Sequence, residues 1–326
     1  MKIFPLVLYF LTFLSALIVS AFCEPLFLRI YKRFDLVDNP GQRKIHTESV
    51  PLSGGIAVLI GIIFPLLIAV ILYPIFHTSF DSIIYGLERR KIQLLWLIGA
   101  MILAFLIGLI DDIYELKPLM KFIFQAVVAF IVAFLGVRIT LFVPSTVFSY
   151  LVTIFWFVAL MNAFNFIDNM NGLCAGLCAF ASFYFASISA YHGQYLVALI
   201  CFLVSGAFFG FIPFNFPKAK AFLGDSGSHL AGFLMALISI LPHFYSYKHP
   251  YRYAVLAPLV VLAVPLIDMI WVVVYRILNG KPFYCGDTNH LSHKLVALGL
   301  TRSMSVLVLW LVSVLFGFLG FCIAVN

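Results

Sequence analysis

Charge is what this sequence has least of. Only 10% of its 326 residues are charged and 64% are hydrophobic, whereas a soluble domain carries about 25% charged residues. With a mean hydropathy of +1.11, the chain reads as an all-α polytopic membrane protein, a single integral domain spanning residues 1–326. A soluble enzyme with one anchor is excluded. The net charge of +7 does not indicate nucleic acid, because the basic residues are spread through loops rather than gathered on one domain. Cysteine gives no framework either. Cys23, Cys174, Cys178, Cys201 and Cys322 lie in apolar stretches, where they act as small hydrophobes; only Cys285 stands in a polar loop. Cys174 and Cys178 lack the His or second Cys pair that zinc would need. Internal repeats, low-complexity tracts and a separate soluble domain are also missing.

Long apolar runs are what the chain does have. A bilayer-crossing helix needs about 20 such residues. Uncharged runs occur at Ile3–Cys23, Val50–Phe80, Ile92–Ile110, Phe122–Val137, Ile139–Ile167, Asn169–Pro217, Ser226–Tyr247 and Ser303–Asn326, and only Asp268 interrupts Tyr253–Tyr275. The first run exceeds the roughly 7–15 residues of a signal h-region, and Phe22 is too bulky for the residue before a lipoprotein cut, so it reads as a retained helix. His192-Gly193-Gln194 divides Asn169–Pro217 into a hairpin. Ten helices result. An eleventh short piece at Ile139–Pro144 reads rather as a re-entrant or interfacial turn, because of Val143-Pro144-Ser145. Ten spans place the loops after the odd-numbered helices on one side. Those five loops hold 13 of the 20 basic residues, which makes that side cytoplasmic.

Five polar clusters fall on that same side. The first is Asp38-Asn39-Pro40-Gly41-Gln42-Arg43-Lys44-Ile45-His46, which leads into Pro51-Leu52-Ser53-Gly54-Gly55. Basic loops of this kind bind phosphates or simply meet anionic headgroups. The second, Asp111-Asp112, ends the third helix. Adjacent side chains there point about 100° apart, so both can reach one cavity, and two acids this close suit a divalent cation or a split acid/base role. As a merely solvated helix end they would oppose the dipole. The third cluster runs from Asn162 to Gly172, with Asn162, Asn165, Asp168, Asn169 and Asn171; it reads as a polar-ligand site or as a turn that favours Asn. In the fourth, Gly224-Asp225-Ser226-Gly227-Ser228, Asp225 can cap the next helix and the glycines admit a phosphate. The fifth, His290-Leu291-Ser292-His293-Lys294, would bring His290 and Lys294 onto one helical face, better suited to phosphate than to metal. Asp268 is open between function and helix-to-helix bonding.

Acidic clusters imply a divalent cation, basic ones imply phosphates, an amide-rich turn implies a sugar or base, and the membrane implies a lipid substrate. Together they suggest phosphoryl transfer to or from a lipid, with a metal neutralising charge on oxygen. Residue chemistry stops there.

The ordered set Asp-Asn-Pro, Arg-Lys-Ile-His and Val-Pro-Leu-Ser-Gly-Gly, then Gly-Leu-Ile-Asp-Asp, Asn-Ala-Phe-Asn-Phe-Ile-Asp, Phe-Leu-Gly-Asp-Ser-Gly-Ser and His-Leu-Ser-His-Lys-Leu resembles the polyprenyl-phosphate N-acetylhexosamine-1-phosphate transferases, from about Asp35 to Thr301. The resemblance implies transfer of a sugar 1-phosphate from a UDP-sugar to polyprenyl phosphate, typically undecaprenyl phosphate, with release of UMP. It implies Mg²⁺, with Mn²⁺ as a substitute, a bacterial inner membrane and a cytoplasmic site built by the five loops. Asp111 and Asp112 match the acidic pair, one deprotonating the lipid phosphate and the other supporting the metal. Asp225 matches the principal metal ligand, with Asp112 expected as the second. Asp168 and Asn165 match the nucleotide-holding loop, and His290 and His293 the histidine motif near the diphosphate. Lys121, Lys44, His46 and Lys294 are expected to bind substrate. A homodimer is left open.

Two positions depart from the family pattern. Asn171 stands where a second Asp is usual, so it is assigned binding only. Ser292 stands where the muramoyl-pentapeptide branch has a His, which favours a GlcNAc-type donor; a phospho-N-acetylmuramoyl-pentapeptide transferase is the alternative. The expected chemistry is direct attack of the lipid phosphate on the β-phosphorus, with a two-step aspartyl-phosphate route open. A transporter would need polar sites at the midplane and repeated halves. A CDP-alcohol phosphatidyltransferase would need that family's acidic motif. Neither set of features is present.

Overall fold

The computed structural model describes residues 3–39, 49–76, 81–245, 250–282, 284 and 287–326. Lys44, His46 and Cys285 lie outside the described residues. Backbone polar groups cannot stay unpaired in lipid, so apolar runs of this length fold into helices. In chain order these are α1 (Ile3–Arg33), α2 (Gly54–Phe76), α3 (Asp81–Tyr114), α4 (Pro118–Phe134), α5 (Thr146–Ile167), α6 (Leu173–Tyr191), α7 (Tyr195–Asn215), α8 (Gly224–Ile240), α9 (Ala257–Val261), α10 (Ala263–Leu278), α11 (Leu291–Ala297) and α12 (Arg302–Val325). A short antiparallel pair, β1 (Val37–Asp38) with β2 (Val50–Pro51), sits between α1 and α2.

Among the described residues, seven helices are long and apolar enough to cross a bilayer, and a bent pair raises this to eight. The chain is a multi-pass helical membrane protein, although ten spans are not met by length and composition alone. The shortfall has a local cause. Helices α4 and α8 have 17 residues each, about 25 Å at 1.5 Å per residue. The stretch expected as Tyr253–Tyr275 is broken, with Arg252–Val261 and Ala263–Leu278 meeting at 70°. Pro265, near the start of α10, has no N–H to continue the ladder across the break. The expected hairpin is found, with α6 ending at Tyr191 and α7 starting at Tyr195. Residues 139–144 form a turn rather than a span.

Helix α8 is the centre of the bundle. Every residue from Ser226 to Ser239 is buried, as expected of a helix surrounded on all sides. It packs on α3, α5, α2 and α6. Small residues permit that closeness: a Cβ on Gly108 of α3 would lie 2.2 Å from the Asp225 carbonyl oxygen, and one on Gly55 would lie 2.6 Å from the Gly227 nitrogen. The outer faces of α1, α4, α5, α10 and α12 expose Phe10, Phe22, Phe124, Phe134, Phe155, Ile270, Leu311 and Phe318 among other apolar side chains, forming the surface that meets lipid.

Candidate active site

The ends of α3, α5 and α7 and the starts of α8 and α12 converge at one end of the bundle around a cleft of about 800 Å³. Its walls include Asp38, Asp111, Asp112, Glu115, Asn165, Asp168, Asn169, Asn171, Lys218, Asp225 and Arg302. Three of the expected motifs therefore share one cavity with part of the first, and the cavity size suits a small-molecule substrate.

Backbone pairing sets the frame. Gly54 and Gly55 donate to the carbonyls of Phe222 (3.0 Å) and Leu223 (3.1 Å), and Phe222 donates back to Pro51 (2.8 Å). The Pro51-Leu52-Ser53-Gly54-Gly55 segment thus docks the loop that carries Asp225, a structural role that the sequence reading did not separate from phosphate binding. On the far wall, Asn215 accepts from Gly172 N (2.6 Å) and donates to Ala221 O (2.8 Å), tying two of the loops together.

The two adjacent acids have different partners. Asp112 Oδ1 accepts from Asp225 N at 2.7 Å and Oδ2 from Ser226 N at 2.9 Å. Its carboxylate therefore caps α8 from another helix, where the N-terminal dipole favours negative charge. This removes the objection that an acid at the end of α3 is badly placed. Asp111 is buried. Its Oδ1 accepts from Leu116 N at 2.9 Å, and its Oδ2 is ion-paired with Lys121. Lys121 Nζ also lies 3.7 Å from Asp225 Oδ2. Asn165 donates to Asp225 Oδ1 (2.7 Å) and to Ser228 Oγ (3.0 Å).

Asp111, Asp225 and His229 offer ligand atoms within 4.8 Å of one another. The acid facing Asp225 across this group is Asp111, whereas the sequence reading paired Asp225 with Asp112 as metal ligands. His229 is buried in α8 and was passed over in the sequence. Its Nδ1 meets the Asp225 carbonyl at 2.9 Å, and its Nε2 meets Gln125 Nε2 at 3.1 Å. Asn162 donates to Gln125 Oε1 at 2.6 Å, which leaves the Gln125 amide to donate to His229. Both ring nitrogens are thus engaged, and His229 braces the first turn of α8 through the Asp225 main-chain carbonyl. The available signal was a Gln and a His inside apolar runs, where polar groups need partners.

Asp168 closes α5 as its C-cap and lines the cleft. Withdrawal from water, then the negative charges of Asp225 and Asp112, push its carboxyl up to about 8. Asn171 donates to Pro217 O at 3.3 Å and holds the cleft wall.

The histidine segment is not part of the cleft wall but is bonded to it. Ser292 Oγ donates to Asn169 Oδ1 at 2.7 Å. His290 Nδ1 lies 2.7 Å from Asp268 Oδ2, and Leu291 N donates to Asp268 Oδ1 at 2.7 Å. Lys294 Nζ sits 3.3 Å above the Trp271 ring, so it contacts α10 rather than the cavity. Arg276, also on α10, is buried, donates to Asp287 at 3.2 Å and lies 4.9 Å from the Phe166 ring. Burial works to raise the Asp287 carboxyl, but Arg276 and Asn289 outweigh it and hold it below the usual carboxylate range. Burial, then His290 and Arg302, lower the His293 ring.

The profile of glycosyl transferase family 4 matches residues 94–243. The chain is 32% identical over 312 residues to the probable undecaprenyl-phosphate N-acetylglucosaminyl 1-phosphate transferase of Bacillus subtilis (strain 168), covering 93% of this chain and 82% of that protein. It is 31% identical over 332 residues to the decaprenyl-phosphate N-acetylglucosaminephosphotransferase of Mycobacterium tuberculosis (strain ATCC 25618 / H37Rv), covering 93% and 80%. It is 29% identical over 308 residues to the undecaprenyl-phosphate alpha-N-acetylglucosaminyl 1-phosphate transferase of Escherichia coli (strain K12), covering 90% and 77%.

Proposed function

Because this chain belongs to glycosyl transferase family 4, we propose that it transfers GlcNAc 1-phosphate from UDP-GlcNAc to undecaprenyl phosphate and releases UMP. The observation that carries this reading is the single cleft in which Asp111, Asp112, Asn165, Asp168 and Asp225 meet, in a chain whose relatives bear names of that activity.

A phosphate oxygen of the lipid attacks the β-phosphorus of the nucleotide sugar. The bond from that phosphorus to the bridging oxygen breaks, and UMP leaves with the bridging oxygen. The donor set fits Mg²⁺: Asp111 and Asp225 supply hard oxygen ligands, and Lys121 between them marks a point where positive charge is stable. When bound there, the ion neutralises charge developing on phosphate oxygens. Asn165 orients the Asp225 carboxylate, and Asp112 fixes its backbone. Asp168, whose carboxyl is pushed up chiefly by withdrawal from water, lines the cleft where a proton can be exchanged at its carboxyl as the acceptor phosphate engages. Lys218 and Arg302, both on the cleft wall, offset phosphate charge.

The chain is placed in the bacterial inner membrane with the cleft facing the cytoplasm, since the cleft end carries most of the basic residues. The 17-residue helices α4 and α8 and the bent pair join the seven long helices to make ten crossings.

The test uses purified protein with UDP-GlcNAc, undecaprenyl phosphate and Mg²⁺. UMP release should match label gained by the lipid, stop with EDTA, and fall about 100-fold or more in Asp225→Asn. UMP release without a lipid product would sink the reading. An enzyme-bound phosphosugar after quench would exclude the direct route.

A further inference from the structure

Asp268 is a carboxylate inside an apolar helix, buried to 1% exposure. It stands within α10 (Ala263–Leu278), one hydrogen bond from Leu291, whose neighbour Ser292 bonds Asn169 on the cleft wall. Carboxylates are costly to keep at such positions without a task. The start of α11 reaches in to meet it, and the partner, His290, is itself buried. The two carboxylate oxygens do different things. Oδ1 accepts the backbone N–H of Leu291, a cap for α11, and Oδ2 meets His290 Nδ1, each at 2.7 Å.

A carboxylate can only accept. The proton on this contact is therefore on Nδ1, and in the neutral ring the lone pair is confined to Nε2. This is the physical logic by which a buried acid orients a working imidazole. We infer that Asp268 is a positioning residue for the transfer reaction: it fixes the tautomer and orientation of His290, so that Nε2 carries the lone pair, on the turn that Ser292 ties to the cleft wall. The inference rests on the proposed function and adds a residue that the motif comparison leaves unassigned.

The surroundings support the choice of His290. The groups facing the histidine pair are Asp268 from α10, Arg302 from α12 and Asp287 from the loop. His293, 6.0 Å from His290 between ring centroids, is pushed down by burial, by His290 and by Arg302, and it is His290 that holds a carboxylate at 2.7 Å. Ser292 ties the same turn to Asn169 on the cleft wall, so a rotation of the His290 ring is not absorbed by slack in the loop.

The alternative, that Asp268 only caps α11, is separable with one substitution. In Asp268→Asn the side-chain oxygen still accepts from Leu291, but the amide N–H₂ faces Nδ1 and forces the proton to Nε2. A cap role predicts near-normal turnover. A positioning role predicts loss of about tenfold or more in kcat with donor KM changed less than about twofold; the same exchange in hydrolase triads costs about 10⁴. The experiment measures transfer by wild type, Asp268→Asn, His290→Gln and the double variant. In parallel, ¹⁵N-histidine spectra are recorded, with the His290 signals identified by their loss in His290→Gln. We expect a proton on Nδ1 in the wild type, its move to Nε2 in Asp268→Asn, and a double variant no slower than His290→Gln alone. Additive losses, unimpaired Asp268→Asn, or an Nε2–H wild-type ring would overturn the inference while leaving the proposed function standing. If Asp268→Asn does not fold, the wild-type spectrum decides. Absence of transfer by the wild type itself would instead remove the proposed function, and this inference with it.

Discussion

Asp112 and Asp111 are neighbours in sequence with opposite tasks. Both oxygens of Asp112 hold the backbone of Asp225 and Ser226, whereas Asp111 faces Lys121. Asp112→Asn keeps one acceptor but sets an N–H against an N–H, which costs about 1–3 kcal/mol. It should lower the thermal unfolding temperature in detergent as well as activity. Asp225→Asn should cost activity with little change in unfolding, because its side chain is partly exposed at 36%. Equal destabilisation by both variants would refute this division of labour. The acidic residues were legible in the sequence because charge is rare in this chain and stands out. Their distinct partners were not, since spacing along α3 does not reveal which acid meets the start of α8. Gln125 and His229 were not legible because uncharged polar residues leave an apolar run unbroken.

Among the helices, one close constraint bears on the site: α3 crosses the start of α8. A methyl group on Gly108 would meet the Asp225 carbonyl at 2.2 Å, and backbone cannot rotate aside as a side chain can. Gly108→Ala should cost about 1–3 kcal/mol by overpacking and should weaken divalent-ion dependence of the reaction, read as a higher ion concentration at half-maximal rate. Unchanged ion dependence would contradict the packing argument. The last loop gives a pH test. Asp287 is held below its unfolded value of about 3.9 by Arg276 and Asn289, so its contribution is complete above that value and is lost as pH falls through the folded value. Amide hydrogen exchange of α11 should therefore accelerate only below about pH 4, and Asp287→Asn should be at least about fivefold faster at pH 5. Exchange that rises steadily from pH 7 would point to another group. Helix positions were readable from hydrophobic runs; the break at Leu262 was not, because the apolar run continues unbroken across Leu262 and Pro265. The excess length of α3 was hidden for a related reason. Glu88-Arg89-Arg90-Lys91 end an apolar run but are good helix formers, and the helix continues through them.

For the whole molecule, the sequence placed five polar clusters on one side, and three of them, with Asp38 from the first, meet in one cleft. The histidine cluster joins them through Ser292 and Asn169, while Lys44 and His46 lie outside the described residues. Convergence could be read because alternating spans sort loops by parity. The identity of contacting pairs could not, because helix packing determines which loops touch. The orientation yields its own test. With the six native cysteines replaced, a cysteine at the exposed Lys281 should react with an impermeant thiol reagent only after the membrane is opened, and one at the exposed Arg89 should react in intact cells. The reverse pattern would invert the topology.

The central claim is that the bond broken lies between the β-phosphorus and the bridging oxygen of a nucleotide sugar. The direct measurement uses UDP-GlcNAc carrying ³²P at either the α or the β position, incubated with purified protein, Mg²⁺ and undecaprenyl phosphate, then partitioned between water and organic solvent. The account predicts β-label in the lipid phase and α-label in water as UMP. Both labels remaining in water, with GlcNAc alone entering the lipid, would contradict it.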